Sequence, residues 1–274
     1  MVKSMIPLWA RRILGFVGLI LVSVFVLGVH SALQHTFFDA TSASGIALLL
    51  LIALLMLFGV RKRLSFLPLL RASVWLKIHT YVGLLSLVVF VAHNGPSIPQ
   101  GGLERLLAAV FVITGISGIG GLILSRILPA RLTAHGENLN YQQIPALCQA
   151  LREEVETLIL ASTESTDSST IADFYEMNLA TYFAHPRFLW GNLFPETRVP
   201  RKLTDRLEGL KRYLNEEEEQ IAEQLIEKVV TKKNLDVQWN LQSVLKFWLF
   251  IHVPLSFGLL ALAAAHIALV WQFL

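Results

Sequence analysis

Two stretches of this chain carry one pattern: Trp75-Leu76-Lys77-Ile78-His79 and Trp248-Leu249-Phe250-Ile251-His252. In each, a second histidine follows 14 residues after the first, within Ala92-His93 and Ala265-His266. Both stretches are otherwise apolar and long enough for membrane-spanning helices, which need ~20 predominantly apolar residues. Ionisable side chains in such helices are costly and point to function when they recur in register. At ~100° and ~1.5 Å per residue, 14 steps return to nearly the same helix face ~21 Å further along. Each helix therefore presents two histidines on one face, spaced across most of a ~30 Å hydrocarbon core.

The whole composition agrees. Of 274 residues, 54% are hydrophobic and only 16% charged, where a soluble domain carries about 25%; mean hydropathy is +0.57. Five runs qualify as spans: Ile13–His30, Gly45–Val60, Val74–His93, Leu106–Leu124 and Phe247–Phe273. The first follows Lys3, Arg11 and Arg12 as a secretory signal would, but its apolar run is long and no small-x-small cleavage site follows, so it is expected to remain as a helix. The single cysteine, Cys148, excludes a disulfide framework, a thiolate zinc site and a cysteine-held iron–sulfur cluster. No Cys-x-x-Cys-His is present, so haem cannot be attached covalently in the c-type manner.

Lysines and arginines set the expected orientation, because basic short loops stay cytoplasmic. Lys3, Arg11 and Arg12 flank the first span, and Arg61, Lys62, Arg63 and Arg71 lie between the second and third; the opposite loops hold only Arg105. The N-terminus is thus expected inside and the C-terminus outside. The polar segment Ile127–Leu245 holds 18 acidic against 12 basic residues, net −6, within a chain of +3. The positive charge is accordingly topogenic, and a nucleic-acid partner is not expected. Within that segment Ile144–Leu160 and Leu203–Val230 have helical apolar spacing, separated by Ser162–Thr170 and His185–Pro200. Glu216–Glu219 is expected to be a solvated helix face, with docking of a basic partner as the alternative. The expected fold is all-α: a polytopic membrane protein of the inner (plasma) membrane, with a five-helix transmembrane bundle and a small helical cytoplasmic domain inserted between helices four and five. Its parts are residues 1–126, 127–245 and 246–274.

Helices three and five then run the same way. His79 and His252 fall at the cytoplasmic level, and His93 and His266 at the outer level. Two neutral imidazoles on facing helices are the axial set that a haem iron takes, without burying charge. The expectation is two non-covalent b-type haems, ligated by His79 with His252 and by His93 with His266. Over 19 aligned positions the two helices share seven identities, among them Trp75/Trp248, Leu87/Leu260 and both histidine pairs. Trp75 and Trp248, one turn before the inner histidines, either wall a macrocycle edge or belong to an interfacial aromatic belt. Gly83, one turn after His79, and Gly258, between the histidines of helix five, would let a porphyrin approach the backbone. Lys77 is the preferred partner for a haem propionate; Arg71, Arg131 and Lys246 also fall near the inner haem level, Arg71 and Arg131 rather as topological anchors, and Arg105 is the one basic side chain on the outer side. Pro254 is expected to kink helix five and free a carbonyl. The small residues Thr114-Gly115-Ile116-Ser117-Gly118-Ile119-Gly120-Gly121 are expected to serve close helix packing rather than nucleotide binding.

These four histidines make the chain similar to the dihaem membrane cytochromes b. Pairs at this spacing on two helices resemble the quinol-oxidising cytochrome b of respiratory complexes and the transmembrane domain of ferric reductases and NADPH oxidases. Placement on the third and fifth helices is more similar to the ferric reductase group. The resemblance is confined to the two histidine helices and implies electron transfer across the membrane. Unlike that group it is expected to lack flavin and nicotinamide domains: His185-Pro186-Arg187-Phe188 is only superficially like their His-Pro-Phe, and no Gly-rich nucleotide loop occurs in these 274 residues. Oxidation of NAD(P)H would need a separate subunit.

The function expected is an electron-transfer subunit of an oxidoreductase rather than a stand-alone enzyme, linking a quinone pool or cytoplasmic donor to an extracytoplasmic partner such as a c-type cytochrome or iron–sulfur protein. Two alternatives use the same histidines. One is a metal-ion transporter, although divalent cations call for carboxylates that helices three and five lack; the other is a structural assembly subunit without haem. His30 and His35 are expected to be interfacial polar residues. A further haem, metal or quinone site there, with Asp39 or Glu104 accepting protons, is the alternative. His135 and His185 have no ligand spacing.

Overall fold

The computed structural model describes residues 7–36, 39–63, 71–96, 98–134, 139–166, 168–186 and 198–273. Lys3, His135, Arg187, Phe188 and Leu274 lie outside them. All regular structure among the described residues is helical: α1 (Leu8–Gln34), α2 (Ala40–Arg63), α3 (Ala72–Asn94), α4 (Gly102–Ala134), α5 (Ile144–Thr166), α6 (Thr170–Phe174), α7 (Ala180–Phe183), α8 (Arg198–Leu210) and α9 (Glu216–Phe273). A π turn, Tyr175–Leu179, joins α6 to α7, and a 3₁₀ turn, Lys211–Tyr213, follows α8.

Five of these helices are long and apolar enough to cross a membrane: Ile13–Gln34, Ala40–Gly59, Ser73–Asn94, Gly102–Leu128 and a stretch within Glu216–Gln272. A helix satisfies its own backbone hydrogen bonds, which is why it can stand in hydrocarbon. The side chains along these helices match that solvent. Phe25, Ile116, Phe250 and Trp271 are all largely exposed, an arrangement that water disfavours and lipid accepts.

The chain divides into two compact units, Met1–Leu122 with Phe250–Leu274, and Ile123–Leu249. In the first unit α2 packs along α3, and α1 lies against both. Its core is Leu48 and Ile52 from α2, Val89 from α3, Phe111 from α4 and Leu259 from α9, with Phe90 stacked on Phe111 at a ring separation of 4.2 Å. Glycines bring these helices close. A Cβ on Gly115 of α4 would come within 2.9 Å of Leu87 on α3, and one on Gly15 of α1 would overlap the Tyr81 ring.

The second unit has a separate core. Ile144, Cys148, Leu151, Val155 and Ile159 line one face of α5 at helical spacing and meet Ile171, Leu179, Phe183, Leu207, Leu225 and Val229. Burial pushes the Cys148 thiol up to about 11. Lys232 and Asp236 form an ion pair at 2.6 Å with side chains 0% and 3% exposed, and Lys232 Nζ also donates to the His185 carbonyl. Gln238 and Gln242 bracket one peptide: the Leu139 N–H donates to Gln238 Oε1, and Gln242 Nε2 donates to the Leu139 carbonyl.

Two details differ from the apolar pattern of the sequence. The spacing over Leu203–Val230 is not one helix, because α8 stops at Leu210 and α9 starts at Glu216. The start is a capping box: the Glu218 N–H donates to Asn215 Oδ1 at 2.8 Å and the Asn215 N–H to Glu218 Oε2 at 3.1 Å. Glu218 is thus a buried cap rather than part of a solvated face, while Glu219 and Glu223 meet Lys211. From there α9 continues through Pro254 to Phe273.

Candidate functional site

All four predicted histidine ligands belong to the first unit, His79 and His93 on α3 and His252 and His266 on α9. His93 and His266 lie close enough to interact electrostatically, with His30 and Asp39 also in range of His93. Val89 and Leu259, before these histidines on α3 and α9, meet in one core.

The His93 ring is held from α2. Its Nδ1 lies 3.0 Å from the Thr41 carbonyl oxygen and 3.2 Å from Ser44 Oγ. Ser44 Oγ donates its own proton to the same carbonyl at 2.9 Å. A carbonyl only accepts, so the Nδ1–H is the donor, and in the neutral ring Nε2 carries the lone pair that a metal requires. Asp39 builds the turn from which this hangs: its carboxylate accepts from the Thr41 N–H at 2.9 Å and from Ser42 Oγ at 2.5 Å, which holds the acid below its ordinary range.

His252 is held from α4, its Nδ1 3.2 Å from Ser117 Oγ. The carbonyl of His252 accepts from Ser256 Oγ at 2.8 Å, one turn along α9 and beside Pro254. His79 faces α2, where its ring lies 5.1 Å from Phe58 in a tilted stack. The named contacts of the His79 and His252 rings thus go to different neighbouring helices.

Val89 of α3 and Leu259 of α9, each between the two histidines of its own helix, share an apolar cluster with Leu48, Ile52 and Phe111, all nine-tenths or more buried. Ser86, also buried on α3 between His79 and His93, turns its hydroxyl to the Gly83 carbonyl at 2.8 Å.

Among the other expected site residues, Trp75 is half-buried with Nε1 shielded and without a protein acceptor. This donor lies one turn before His79, where a bound carboxylate could take it. Lys77 is exposed on α3. Trp248 precedes His252 by one turn of α9, within the second unit. Lys246, also there, packs over the Tyr141 ring at 3.5 Å from its centroid. A Cβ at Gly83 would make an ordinary 3.9 Å contact with Leu55, and at Gly258 it would meet nothing within 4 Å. His30 bonds through Nε2 to Gln34 Nε2 at 3.2 Å in the last turns of α1.

The groups that touch the histidine rings are Thr41, Ser44 and Gly45 for His93, Phe58 for His79, and Ser117 and Gly118 for His252; the sequence marked only the last two, and as packing residues rather than ring contacts. A signal for them exists in Ser44-Gly45-Ile46 and Ser117-Gly118-Ile119, a tripeptide repeated on the two helices that flank the ligand helices. The residues present suit a bis-histidine haem: neutral imidazoles with Nδ1 engaged and a shielded indole donor near the His79 level. Among the described residues there is no cluster of three or more His, Cys, Asp or Glu side chains able to hold a bare metal ion.

No protein-family model, curated protein or solved structure matches the chain.

Proposed function

We propose that the chain is a dihaem b-type membrane cytochrome, the membrane subunit of a larger oxidoreductase. It carries electrons between a quinone pool or cytoplasmic donor and an extracytoplasmic partner such as a c-type cytochrome or an iron–sulfur protein. The observation that carries this reading is the His93 ring, fixed with Nδ1–H on the Thr41 carbonyl so that Nε2 is left for a metal. Metal-ligating histidines are typically held in this way, the second nitrogen donating to a carbonyl or similar acceptor. When bound, each haem supplies one-electron chemistry, tuned by its axial ligands, nearby hydrogen bonds and burial. His79 with His252 and His93 with His266 are the ligand pairs. Trp75 Nε1 and Lys77 are the groups available to a propionate at the His79 level, and Trp248 and the glycines Gly83 and Gly258 remain candidates for the macrocycle edge.

The layer of Val89, Phe111 and Leu259 favours this reading over a metal-ion transporter. A cation would lose its hydration in such a packed apolar layer, whereas an electron carries no hydration shell to lose. The basic residues around the first three spans support a cytoplasmic N-terminus and a cytoplasmic second unit, inserted as a soluble domain between the fourth and fifth spans. Redox titration of the purified chain tests the proposal. Two b-type components are expected; His93→Ala or His266→Ala should abolish one of them, and His79→Ala or His252→Ala the other. Retention of both after any of these changes contradicts it.

A further inference from the structure

Two of the four histidines are seated in one repeated manner. Ser44 Oγ stands 3.2 Å from His93 Nδ1, and the next residue, Gly45, backs the ring so closely that a Cβ there would come within 2.9 Å of Cε1. Ser117 Oγ stands 3.2 Å from His252 Nδ1, and the next residue, Gly118, backs that ring, with a Cβ falling 3.6 Å from Cε1. The sequences are Ser44-Gly45-Ile46 on α2 and Ser117-Gly118-Ile119 on α4. At His93 the Ser44 hydroxyl gives its proton to the Thr41 carbonyl and so offers Nδ1 an acceptor, and the missing side chain of Gly45 makes room for the ring; at His252 the Ser117 hydroxyl stands at hydrogen-bonding distance from Nδ1 and Gly118 lies in ordinary contact range.

We propose that these two Ser-Gly pairs are positioning residues for the haem ligands. Each holds one imidazole as the Nδ1–H tautomer, leaving Nε2 as the metal-binding nitrogen, Ser44-Gly45 for His93 and Ser117-Gly118 for His252. The inference rests on the dihaem reading and extends the site to α2 and α4, helices that supply no ligand. Each pair serves one level, so the two haems are tuned independently. An acceptor on Nδ1–H raises the basicity of the ligand and favours ferric iron, so removing it raises the midpoint potential of the haem concerned. It also weakens retention of that haem, roughly 10- to 100-fold by the usual effect of losing such a partner. Ser44→Ala falls at the lower end, because the Thr41 carbonyl stays in place.

The test uses the detergent-purified full chain as wild type, Ser44→Ala and Ser117→Ala. Gly120→Ala is the control, since a Cβ there meets nothing within 4 Å. Redox titration and haem transfer to an acceptor protein are read alongside histidine-ring tautomers, obtained by nitrogen-15 magnetic resonance of the reduced chain. The expected result is an upward potential shift and faster loss for the His93-level haem in Ser44→Ala and for the His252-level haem in Ser117→Ala, with the other haem unmoved. Two haems unchanged by both substitutions overturn the positioning role while leaving the dihaem reading intact. A wild-type chain without haem overturns the dihaem reading. The tautomers then decide the inference alone: Nδ1–H at both His93 and His252 upholds it, and Nε2–H at either overturns it.

Discussion

The Nδ1 of His93 lies 3.0 Å from the carbonyl oxygen of Thr41, 52 residues earlier in the chain. This bond joins the end of α3 to the start of α2 and fixes which ring nitrogen carries the proton. A histidine packed at random in a helix bundle has no need of a fixed tautomer, whereas a metal ligand does. The bond uses a backbone acceptor, so its effect is tested through the ring and its surroundings.

Gly45→Ala forces the His93 ring to move, since the new Cβ would stand 2.9 Å from Cε1, whereas Gly118→Ala makes an ordinary 3.6 Å contact with His252. Gly45→Ala is therefore expected to lower occupancy of the His93-level haem several-fold, and Gly118→Ala to perturb the His252-level haem less. Haem per chain, measured for each variant after identical purification, gives the comparison. Equal effects, or the reverse order, would contradict the seating described for His93.

Phe111 is 5% exposed, stacks on Phe90 and shares the buried apolar cluster with Val89 and Leu259. Phe111→Ala is expected to destabilise the bundle by about 3–5 kcal/mol through lost packing and the cavity left behind, measured by denaturation in detergent. In sealed vesicles the unaltered protein should pass electrons to an enclosed oxidant while admitting no divalent cation to an enclosed dye. Cation entry would favour the transporter.

In the second unit, Lys232 and Asp236 are paired in the core at 2.6 Å. Removing one partner strands a buried charge. Lys232→Met is expected to cost about 3–5 kcal/mol, and the double substitution Lys232→Met with Asp236→Leu distinctly less than Asp236→Leu and Lys232→Met summed. Chemical denaturation followed by the fluorescence of Trp239 and its neighbours reports this. Additive losses would show that the two side chains are not coupled.

Cys148 is 1% exposed, and its thiol is pushed up to about 11 from an ordinary value of 9.0. The folded state thus keeps its proton over a pH range in which the unfolded state has released it. Its contribution to stability is intact below about pH 9 and is lost as pH rises from there toward about 11. Alkylation at pH 8 should accordingly be slow in the native chain and fast after unfolding. Rapid native labelling would contradict the burial of this thiol.

The five apolar helices were legible because a span is written in length and hydropathy, properties of a continuous stretch of sequence. That the four histidines fall two by two on α3 and α9 was legible for a similar reason, since each helix is a continuous apolar stretch. The seats of the rings were not. Gly83 and Gly258 drew notice as glycines on the ligand helices, yet the glycines that back the imidazoles are Gly45 and Gly118 on neighbouring helices. Interhelical contacts depend on the rotation of each helix about its axis, which local periodicity in a uniformly apolar span does not specify. At the start of α9, Glu216, Glu217 and Glu219 are exposed as a solvated face should be, and only Glu218 departs from it. Four consecutive glutamates suggest solvent by composition, but Asn215 three residues before Glu218 makes that glutamate a reciprocal cap.

The central claim is tested most directly by counting haem in the purified chain, with a pyridine haemochrome assay and a dithionite-reduced minus oxidised spectrum. Two non-covalent b-type haems per chain, both six-coordinate and low-spin, are predicted from His79 with His252 and His93 with His266. Well-folded protein without haem would contradict the account and leave the histidines to metal transport or helix packing.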